Sequence, residues 1–333
     1  MKAWPQVDWH TEQAEQPYVL AESGEAVMRM GDGAALVGRI AERRFESRVG
    51  YLRVYAPMLR VLRLVDVVGD AASIVRDVLH DVDVATTPAL PVDSVEYRSL
   101  LPLNGDPFTP TWERRLLVLP ESWDAFLASR TRKIRAGIRY DMKRLEQSLD
   151  ARVHVVREWS DELVDTLESI AQTTYQRQVG AGFSRERADV LRVAFEHGWA
   201  RIYLLADGER PVAFWWCGVH RGTVRLNTTG YLPEHARHRP GIYLLMHVIQ
   251  DAIADPSLRV LDFGPGRSDY KRHFSNESYL ERNLVLYGST FRAQRARIVR
   301  TAVGAATYGA RRALDATGAT QRIKTAWRKR LRA

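Results

Sequence analysis

Three apolar segments, separated by turns that suit β-hairpins, constrain the fold of this chain more than any other feature of its sequence. Residues 201–206, 211–219 and 223–231 are rich in branched and aromatic side chains, and Asp207-Gly208 and Arg221-Gly222 stand between them. Asp-Gly and similar dipeptides supply the backbone angles of tight hairpins. The three segments therefore predict a run of antiparallel strands.

A helix and a further strand follow this run. Gly241 to Ala254 has the apolar spacing of a helix, and Leu258 to Phe263 has the composition of a buried strand. The sequence of this half also predicts a strand at 153–156, helices at 161–177 and 185–196, a short helical turn at 268–274 and a last strand at 282–287. This order predicts an α/β (α+β) domain over residues 151–290 with a mixed sheet.

The first half of the chain repeats this order. It predicts a run of antiparallel strands at 18–64, a helix at 71–79 and strands at 82–86 and 112–119. A long helix from Ser122 to Leu145 follows. Residues 94–100 and 268–274 also resemble each other, and each precedes a similar strand. Chance similarity of short apolar strands is the alternative. A true repeat predicts a second domain of the same fold over residues 1–150.

The positive charge of the chain lies at its C-terminal end. Residues 291–333 hold 12 Lys or Arg and one acidic residue, Asp315, whereas the whole chain carries a net +9. The preceding residues are therefore close to neutral. Arginines alternate with apolar residues here, which predicts a basic amphipathic helix that contacts an anionic membrane surface or a nucleic acid. A solubilising extension is the alternative.

The composition excludes several classes of protein. The single cysteine, Cys217, rules out a disulfide within the chain and leaves no thiolate metal site, and no other metal site is predicted. No window is apolar over the roughly 20 residues that a membrane-spanning helix requires. We therefore predict a cytoplasmic protein, with the tail as its peripheral contact on the inner face of the membrane.

The loop that follows the third strand is the segment best suited to bind an anion. It runs from Tyr231 to Gly241, contains Arg237 and Arg239, and ends in Pro240-Gly241 at a helix start. The first amides of a helix have no acceptor within the helix and lie at its positive end, so they bind phosphate groups. An ordinary helix start with both arginines in solvent is the alternative.

Residues 261–274, with the sequence Leu-Asp-Phe-Gly-Pro-Gly-Arg-Ser-Asp-Tyr-Lys-Arg-His-Phe, carry a more specific signal. Together with residues 210–214 and 229–231, the Pro-Gly helix start and the basic residues 132–139, they resemble the GNAT acyltransferase domain of the CelD and BioF2-like group. That group is related to the FemABX aminoacyltransferases. The resemblance covers about residues 130–287.

The resemblance implies tandem GNAT-like domains with splayed central sheets, plus the basic helical tail. Residues 223–231 and 260–263 would be the two strands that splay apart, with the pantetheine of acyl-CoA between them. Its pyrophosphate would lie at the helix start, where this chain has Arg239 in place of the serine that is common in the family. The implied contacts to acyl-CoA are Tyr231, Arg237, Arg239, Gly241 and Ile242.

Attack of an amine on a thioester requires an acceptor for the amine proton and positive charge near the developing oxyanion. Asp262 is the candidate base or amine-positioning group, and Lys271 is the candidate cation for the oxyanion or for an anionic group of the substrate. Tyr270 is the candidate acid that reprotonates the leaving thiolate. A capping role for Asp262 and a core position for Tyr270 are the alternatives. The candidate contacts to the acceptor, which are the least specific, are Tyr175, Arg177 and Asn227.

The expected function is transfer of an acyl group from acyl-CoA to an amine, with an amino sugar or a cell-envelope or polysaccharide precursor as acceptor. One alternative is an aminoacyl-tRNA-dependent transferase, in which the basic residues 129–146 and the tail contact tRNA. Another is a membrane-attached factor that kept the fold and lost the chemistry. The first domain is expected to be catalytically degenerate, because Tyr97-Arg98 stands where the second domain has Lys271-Arg272.

Overall fold

The computed structural model describes residues 25–31, 34–49, 52–174, 182–266 and 268–316. These residues form two compact units. We call residues 113–279 the main unit, and we call residues 25–112 together with 280–316 the split unit, because two stretches of the chain build it.

Both units contain strands and helices. The strands are β1 (Glu25–Gly31), β2 (Ala34–Val49), β3 (Leu52–Val68), β4 (Val84–Thr86), β5 (Leu90–Pro91), β6 (Thr111–Val118), β7 (Ala151–Val156), β8 (Ala200–Asp207), β9 (Arg210–His220), β10 (Thr223–Tyr231), β11 (Val260–Pro265), β12 (Glu277–Arg282) and β13 (Val285–Tyr287). The α-helices are α1 (Ala72–Val78), α2 (Val95–Leu100), α3 (Trp123–Ala128), α4 (Arg132–Ser148), α5 (Asp161–Gln172), α6 (Ala188–Glu196), α7 (Pro240–Ala254), α8 (Asp269–Phe274) and α9 (Phe291–Ala316). Short 3₁₀ turns cover Leu101–Leu103, Arg185–Arg187 and Pro233–His238.

The sheet of the split unit is mixed. β1, β2 and β3 pair antiparallel in sequence, β4 pairs parallel with β3, and β13 pairs antiparallel with β4. Apolar side chains on one face of the sheet, among them Leu36, Leu62 and Leu64, form its core with α1. The predicted run of antiparallel strands and the helix after it are confirmed over the described residues.

The main unit contains a second mixed sheet, with six of its strands in the order β6-β11-β10-β9-β8-β7. β7 to β10 are antiparallel neighbours, whereas β10 and β11 are parallel, because α7 carries the chain back across the sheet. The predicted hairpin turns are confirmed: Arg221 and Gly222 both have positive φ, at 42° and 81°. Cys217 is fully buried in the core of this unit, and burial raises the pKa of its thiol.

The two units share one order of elements: antiparallel strands, a helix, and a strand parallel to the last of them. In the split unit these are β1–β3, α1 and β4; in the main unit they are β8–β10, α7 and β11. This agrees with the predicted mixed α/β fold and its repeat. The compact units, however, do not divide at residues 150 and 290. β6 belongs to the main unit although it precedes residue 150, and β13 belongs to the split unit.

The long helix predicted from Ser122 to Leu145 is two helices, α3 and α4. Ser122 caps the first and Thr131 caps the second, each through a hydroxyl that accepts the amide three residues on. The guanidinium of Arg135 donates to the carbonyls of Leu127, Ala128 and Arg130 at 3.4, 3.2 and 3.1 Å. These bonds satisfy carbonyls at the end of α3, so the chain bends where the apolar periodicity alone predicts continuity.

Two further differences concern the C-terminal third. The strand predicted at 282–287 is two strands, β12 and β13, interrupted at Asn283-Leu284. The basic tail is helical as predicted from Phe291 to Ala316, and the residues after it lie outside the described part of the chain. None of the helices in the described ranges is both long and apolar enough to cross a membrane.

Candidate active site

β10 and β11 diverge, as the resemblance implies. They pair over three residues only, Thr223–Arg225 with Val260–Asp262, although β10 continues to Tyr231 and β11 to Pro265. A bulge in β10 places Asn227 outside the regular pairing with β9. Bulges bend a strand and increase its twist, so this one promotes the separation from β11. A gap therefore opens between two adjacent parallel strands in the middle of the sheet.

A cavity of about 600 Å³ occupies this gap. It is bounded by β10, by the start of α7 with the loop before it, and by the end of β11 with α8. The predicted site residues that line it are Asn227, Tyr231, Arg239, Gly241, Ile242, Tyr270 and Lys271. The other described residues of its wall are Trp215, Leu226, Thr229, Ala236, Leu245, Phe263, Gly264 and Pro265. The fold thus brings most of the predicted residues to one site.

The start of α7 is held in place by backbone and side-chain contacts. Arg239 adopts left-handed angles, φ 55° and ψ 48°, and its carbonyl accepts the amides of Ile242 and Tyr243 at 3.0 and 3.2 Å. Its guanidinium pairs with Asp141 of α4 at 2.6 Å. Trp215 Nε1 donates to the carbonyl of Gly241 at 2.9 Å. The helix therefore points its positive end at the cavity with a fixed geometry.

The helix start also differs from the predicted arrangement of free amides. Residue 240 is proline and has no amide hydrogen, and the amide of Ile242 is already bonded to Arg239. Gly241 is the residue of the first turn that has an amide hydrogen and whose amide is not bonded to Arg239. Ile242 therefore lines the cavity, but its amide is not available as a donor to a phosphate.

Arg237 does not line the cavity. It is exposed on the 3₁₀ turn Pro233–His238, and its Nε donates to Nε2 of the neighbouring His238 at 2.9 Å. The predicted contact between Arg237 and the phosphate is thus not part of the described cavity, because the turn directs its side chain to solvent.

Asp262 is fully buried and has no place in the cavity wall. Its carboxylate accepts two bonds from Arg114 Nε, at 3.1 and 3.0 Å, and one from Arg225 Nε at 3.3 Å. The amide of Gly264 donates to it at 2.7 Å, and Arg114 Nη2 adds a further contact. The two guanidiniums and the amide surround the carboxylate on the sheet.

The pKa of Asp262 follows from these contacts. Burial opposes ionisation, but the charges of Arg114 and Arg225 and the bonds from Arg114 and Gly264 outweigh it, so the pKa is lowered. A base needs free access to the proton it accepts and a pKa near the working pH. The predicted role of Asp262 as base is therefore not supported, and the carboxylate instead joins β6, β10 and β11.

Lys271 and Tyr270 lie on α8 at the cavity wall. Lys271 Nζ donates to the carbonyls of Gly264 and Pro265 at 3.2 and 2.8 Å, which ties α8 to the end of β11. Tyr270 packs edge-on against Phe263, with ring centroids 6.3 Å apart, and burial raises the pKa of its phenol. The raised pKa keeps the phenol of Tyr270 protonated at neutral pH, and Lys271 brings an amine to the same wall.

The electrostatics of the cavity are one-sided. Arg239 and Lys271 contribute positive charge, although the charge of Arg239 is partly offset by its ion pair with Asp141 of α4. The described residues of the wall include no carboxylate and no histidine. Leu226, Leu245 and Phe263 supply apolar surface between these polar ends. The arrangement suits a ligand with an apolar arm and an anionic group, and it offers hydrogen-bond donors rather than a base.

The sequence interpretation missed Arg114, Arg225 and Trp215. Arg225 stands between Val224 and Leu226 in a strand of the core, and this is the signal that could have drawn attention to it. Arg114 lies beside Glu113 and Arg115 and gives no such signal. Trp215 gave no signal beyond its place in a core strand. The candidate acceptor contacts Tyr175 and Arg177 lie outside the described residues.

Comparison with known proteins identifies the fold. A family model described as an acetyltransferase (GNAT) domain matches residues 132–272, from the start of α4 into α8. L-PGS from Bacillus licheniformis has a similar structure, with a TM-score of 0.51 at 14% identity over 83% of this chain and 88% of that one. FemX gives a TM-score of 0.53 at 12% identity over 83% and 91%. No curated protein sequence matches this chain.

At such low identity these structures establish a common fold and leave the substrate open. The matched segment contains the diverging strands, the start of α7 and both Tyr270 and Lys271. Residues 132–272 thus match the model of a GNAT-type acetyltransferase domain.

Proposed function

We propose that the protein transfers an acyl group from acyl-CoA to an amine, in the cavity between β10 and β11. The observation that carries this proposal is the divergence of the two strands next to a helix start, with Tyr270 and Lys271 of α8 at the same cavity. A thioester held along the gap would have its carbonyl beside those side chains.

The cavity has the features that a CoA thioester needs. Acyl-CoA combines an apolar arm with a pyrophosphate, and the wall combines Leu226, Leu245 and Phe263 with the cationic Arg239. The amide of Gly241 and the positive end of α7 would add hydrogen bonding and charge for the phosphates. A Cβ added to Gly241 would lie 4.0 Å from Thr229 and Tyr231, so the backbone there is also accessible.

The chemistry follows from the donors at α8. When the amine attacks the thioester, negative charge develops on the carbonyl oxygen, and Lys271 would stabilise it electrostatically. Collapse of the intermediate breaks the carbon–sulfur bond and releases a thiolate. Tyr270, whose raised pKa keeps its proton at neutral pH, would donate that proton to sulfur.

The donor is tested by thermal unfolding in the presence of CoA thioesters and of charged tRNA. A ligand at about 100 times its Kd stabilises the folded state by about 2.7 kcal/mol, so acyl-CoA is expected to raise Tm by several degrees. Gly241→Asp places a carboxylate at the helix start without a steric clash and should abolish the shift. Gly137→Asp is the matched control, since a side chain on Gly137 meets no atom within 4 Å. Absence of any shift with acyl-CoA in the wild-type chain would contradict the proposal.

The pH dependence of the reaction rate should reflect the ionisation of the acceptor amine. Because no carboxylate or histidine lies among the described wall residues, the amine has to enter in its neutral form. The rising limb of kcat/KM is therefore expected to follow the pKa of the acceptor itself. For an α-amine and an alkylamine the limbs should differ by about two pH units, given pKa values of about 8 and about 10.4. Rates measured from pH 6 to 10 with both acceptors test this; one common limb would indicate a base in the protein.

An aminoacyl-tRNA-dependent transferase is the second candidate. The structural likeness to FemX and the run of basic residues on α4 support it. That helix contains Arg132, Lys133, Arg135, Arg139, Lys143 and Arg144, a density of charge that suits a nucleic-acid backbone. Stabilisation by charged tRNA and not by CoA thioesters would favour this candidate.

The finer assignments are part of the proposal. The acceptor would be an amino sugar or a cell-envelope or polysaccharide precursor, as expected from the resemblance to the CelD and BioF2-like group. The split unit would be the catalytically degenerate counterpart of the main unit. A chain that binds neither CoA nor charged tRNA would instead be a factor that kept the fold without the chemistry.

A further inference from the structure

Helix α9 uses one face to pack on the split unit. The helix contacts β2 and β3, its residues Ala293 and Ala296 are buried, and Arg300 pairs with Asp106. Gly304 lies so close to Phe108 that a Cβ would come within 2.5 Å of the ring. The inner face is thus fixed by small residues and one ion pair.

The opposite face of α9 is apolar and exposed. At 100° per residue, Phe291 and Ile298 lie on the same side of the helix, about 180° from the buried alanines. Phe291 is 82% exposed and Ile298 is 69% exposed. Ala302 and Ala305 continue this strip at helical spacing and are also exposed. Two large apolar side chains at these positions thus contribute little to packing within the unit.

Arginines flank the apolar strip on both edges. Arg292 and Arg295 lie on one edge, Arg297 and Arg312 lie on the other, and all four are exposed. The sequence contains no acidic residue from 291 to 314. Beyond the helix, residues 317–333 add six Lys or Arg and no Asp or Glu. The strip is therefore an apolar surface surrounded by positive charge. It suits a partner that combines apolar groups with a negatively charged surface.

We propose that the outer face of α9 lies flat on an anionic phospholipid surface. Phe291 and Ile298 enter the boundary between headgroups and acyl chains, and the flanking arginines contact the lipid phosphates. The inner face remains packed on β2 and β3, so docking requires no unfolding of the unit. This surface is separate from the cavity of the main unit, and the proposal is independent of the proposed function.

Vesicle binding by the full chain tests the proposal. Vesicles of phosphatidylcholine with about one third phosphatidylglycerol should bind the protein at low salt, and vesicles of phosphatidylcholine alone should not. Arg292→Gln with Arg295→Gln should weaken binding about 25-fold, at about fivefold per arginine. Phe291→Ser with Ile298→Ser should weaken it about tenfold or more. Met30→Ser, which removes another exposed apolar side chain of the same unit, should leave binding unchanged.

A fluorescent label locates the contact. The single native cysteine is fully buried, so a thiol-reactive environment-sensitive dye can be placed on Ile298→Cys alone. Its emission should shift to the blue with anionic vesicles, whereas a dye on Met30→Cys should not respond. No binding to anionic vesicles at low salt overturns the proposal. So does binding without a response at Ile298, and so does binding to single-stranded RNA that leaves vesicle binding absent.

Discussion

Replacing Asp262 with asparagine is expected to destabilise the main unit by about 3–5 kcal/mol and to lower Tm by about 10 °C. The carboxylate is fully buried between Arg114 and Arg225, and it also accepts the amide of Gly264. Asparagine keeps the shape of the side chain but removes the negative charge, which leaves two guanidiniums close together with less compensation. Chemical or thermal unfolding measures the effect.

Asp269→Asn is the control for this experiment. Asp269 lies seven residues further on, and its ion pair with Arg272 is exposed to solvent, so the change should cost less than about 0.5 kcal/mol. If Asp262→Asn kept the wild-type Tm and lost turnover, Asp262 would be a base after all, and the structural role assigned to it would be wrong.

The lowered pKa of Asp262 also sets the sign of a pH effect. Because the pKa is lower in the folded state, this carboxylate stabilises the protein fully above the unfolded value of about 3.9. That contribution is lost as the pH falls from there through the lowered folded pKa. Asp262→Asn should therefore flatten the fall in stability on acidification below about pH 4, and urea unfolding at a series of acidic pH values measures it.

Replacing Tyr270 with phenylalanine is expected to lower kcat about 10²–10⁴-fold with little change in KM. The ring should keep its packing against Phe263, so Tm should stay close to the wild-type value. The substitution removes the proton for the leaving thiolate, because Tyr270 is the only phenol of the described cavity wall that lies on α8. Release of free thiol from the acyl-CoA that gives the thermal shift measures the rate.

Tyr140→Phe is the matched substitution, since Tyr140 lies exposed on α4 and outside the cavity wall. It should leave kcat unchanged. The burial that raises the pKa of Tyr270 also predicts that wild-type activity does not fall up to about pH 10, where half of an ordinary phenol is ionised. Wild-type kcat in Tyr270→Phe would mean that Tyr270 is only a core aromatic.

Local patterns in the sequence were sufficient for the elements that form the cavity. The turn at Arg221-Gly222 sets a hairpin, and Pro240-Gly241 begins a helix, because each depends on backbone preferences of a few adjacent residues. The divergence of β10 and β11 came from the resemblance, which carries the tertiary arrangement of a family with it. Lys271 and Tyr270 follow the end of β11 within a few residues, which keeps α8 near the gap.

Other features depend on contacts between distant residues. Arg114 and Asp262 are 148 residues apart, so no local pattern indicates that the acid predicted as a base is enclosed by arginines. The break between α3 and α4 depends on a side chain that reaches back to carbonyls of the preceding helix. The assignment of β6 to one unit and β13 to the other depends on strand pairing.

The sequence by itself determined the order of strands and helices, the position of the helix start at Gly241, and the basic helix after Phe291. It could do so because period, turn chemistry and charge act over a few residues. Only the tertiary structure decided which charged side chains meet: it enclosed Asp262, turned Arg237 to solvent, and left Arg239 and Lys271 at the cavity. Burial and pairing act between segments far apart in the chain, and they fix the ionisation state on which the chemistry of each group depends.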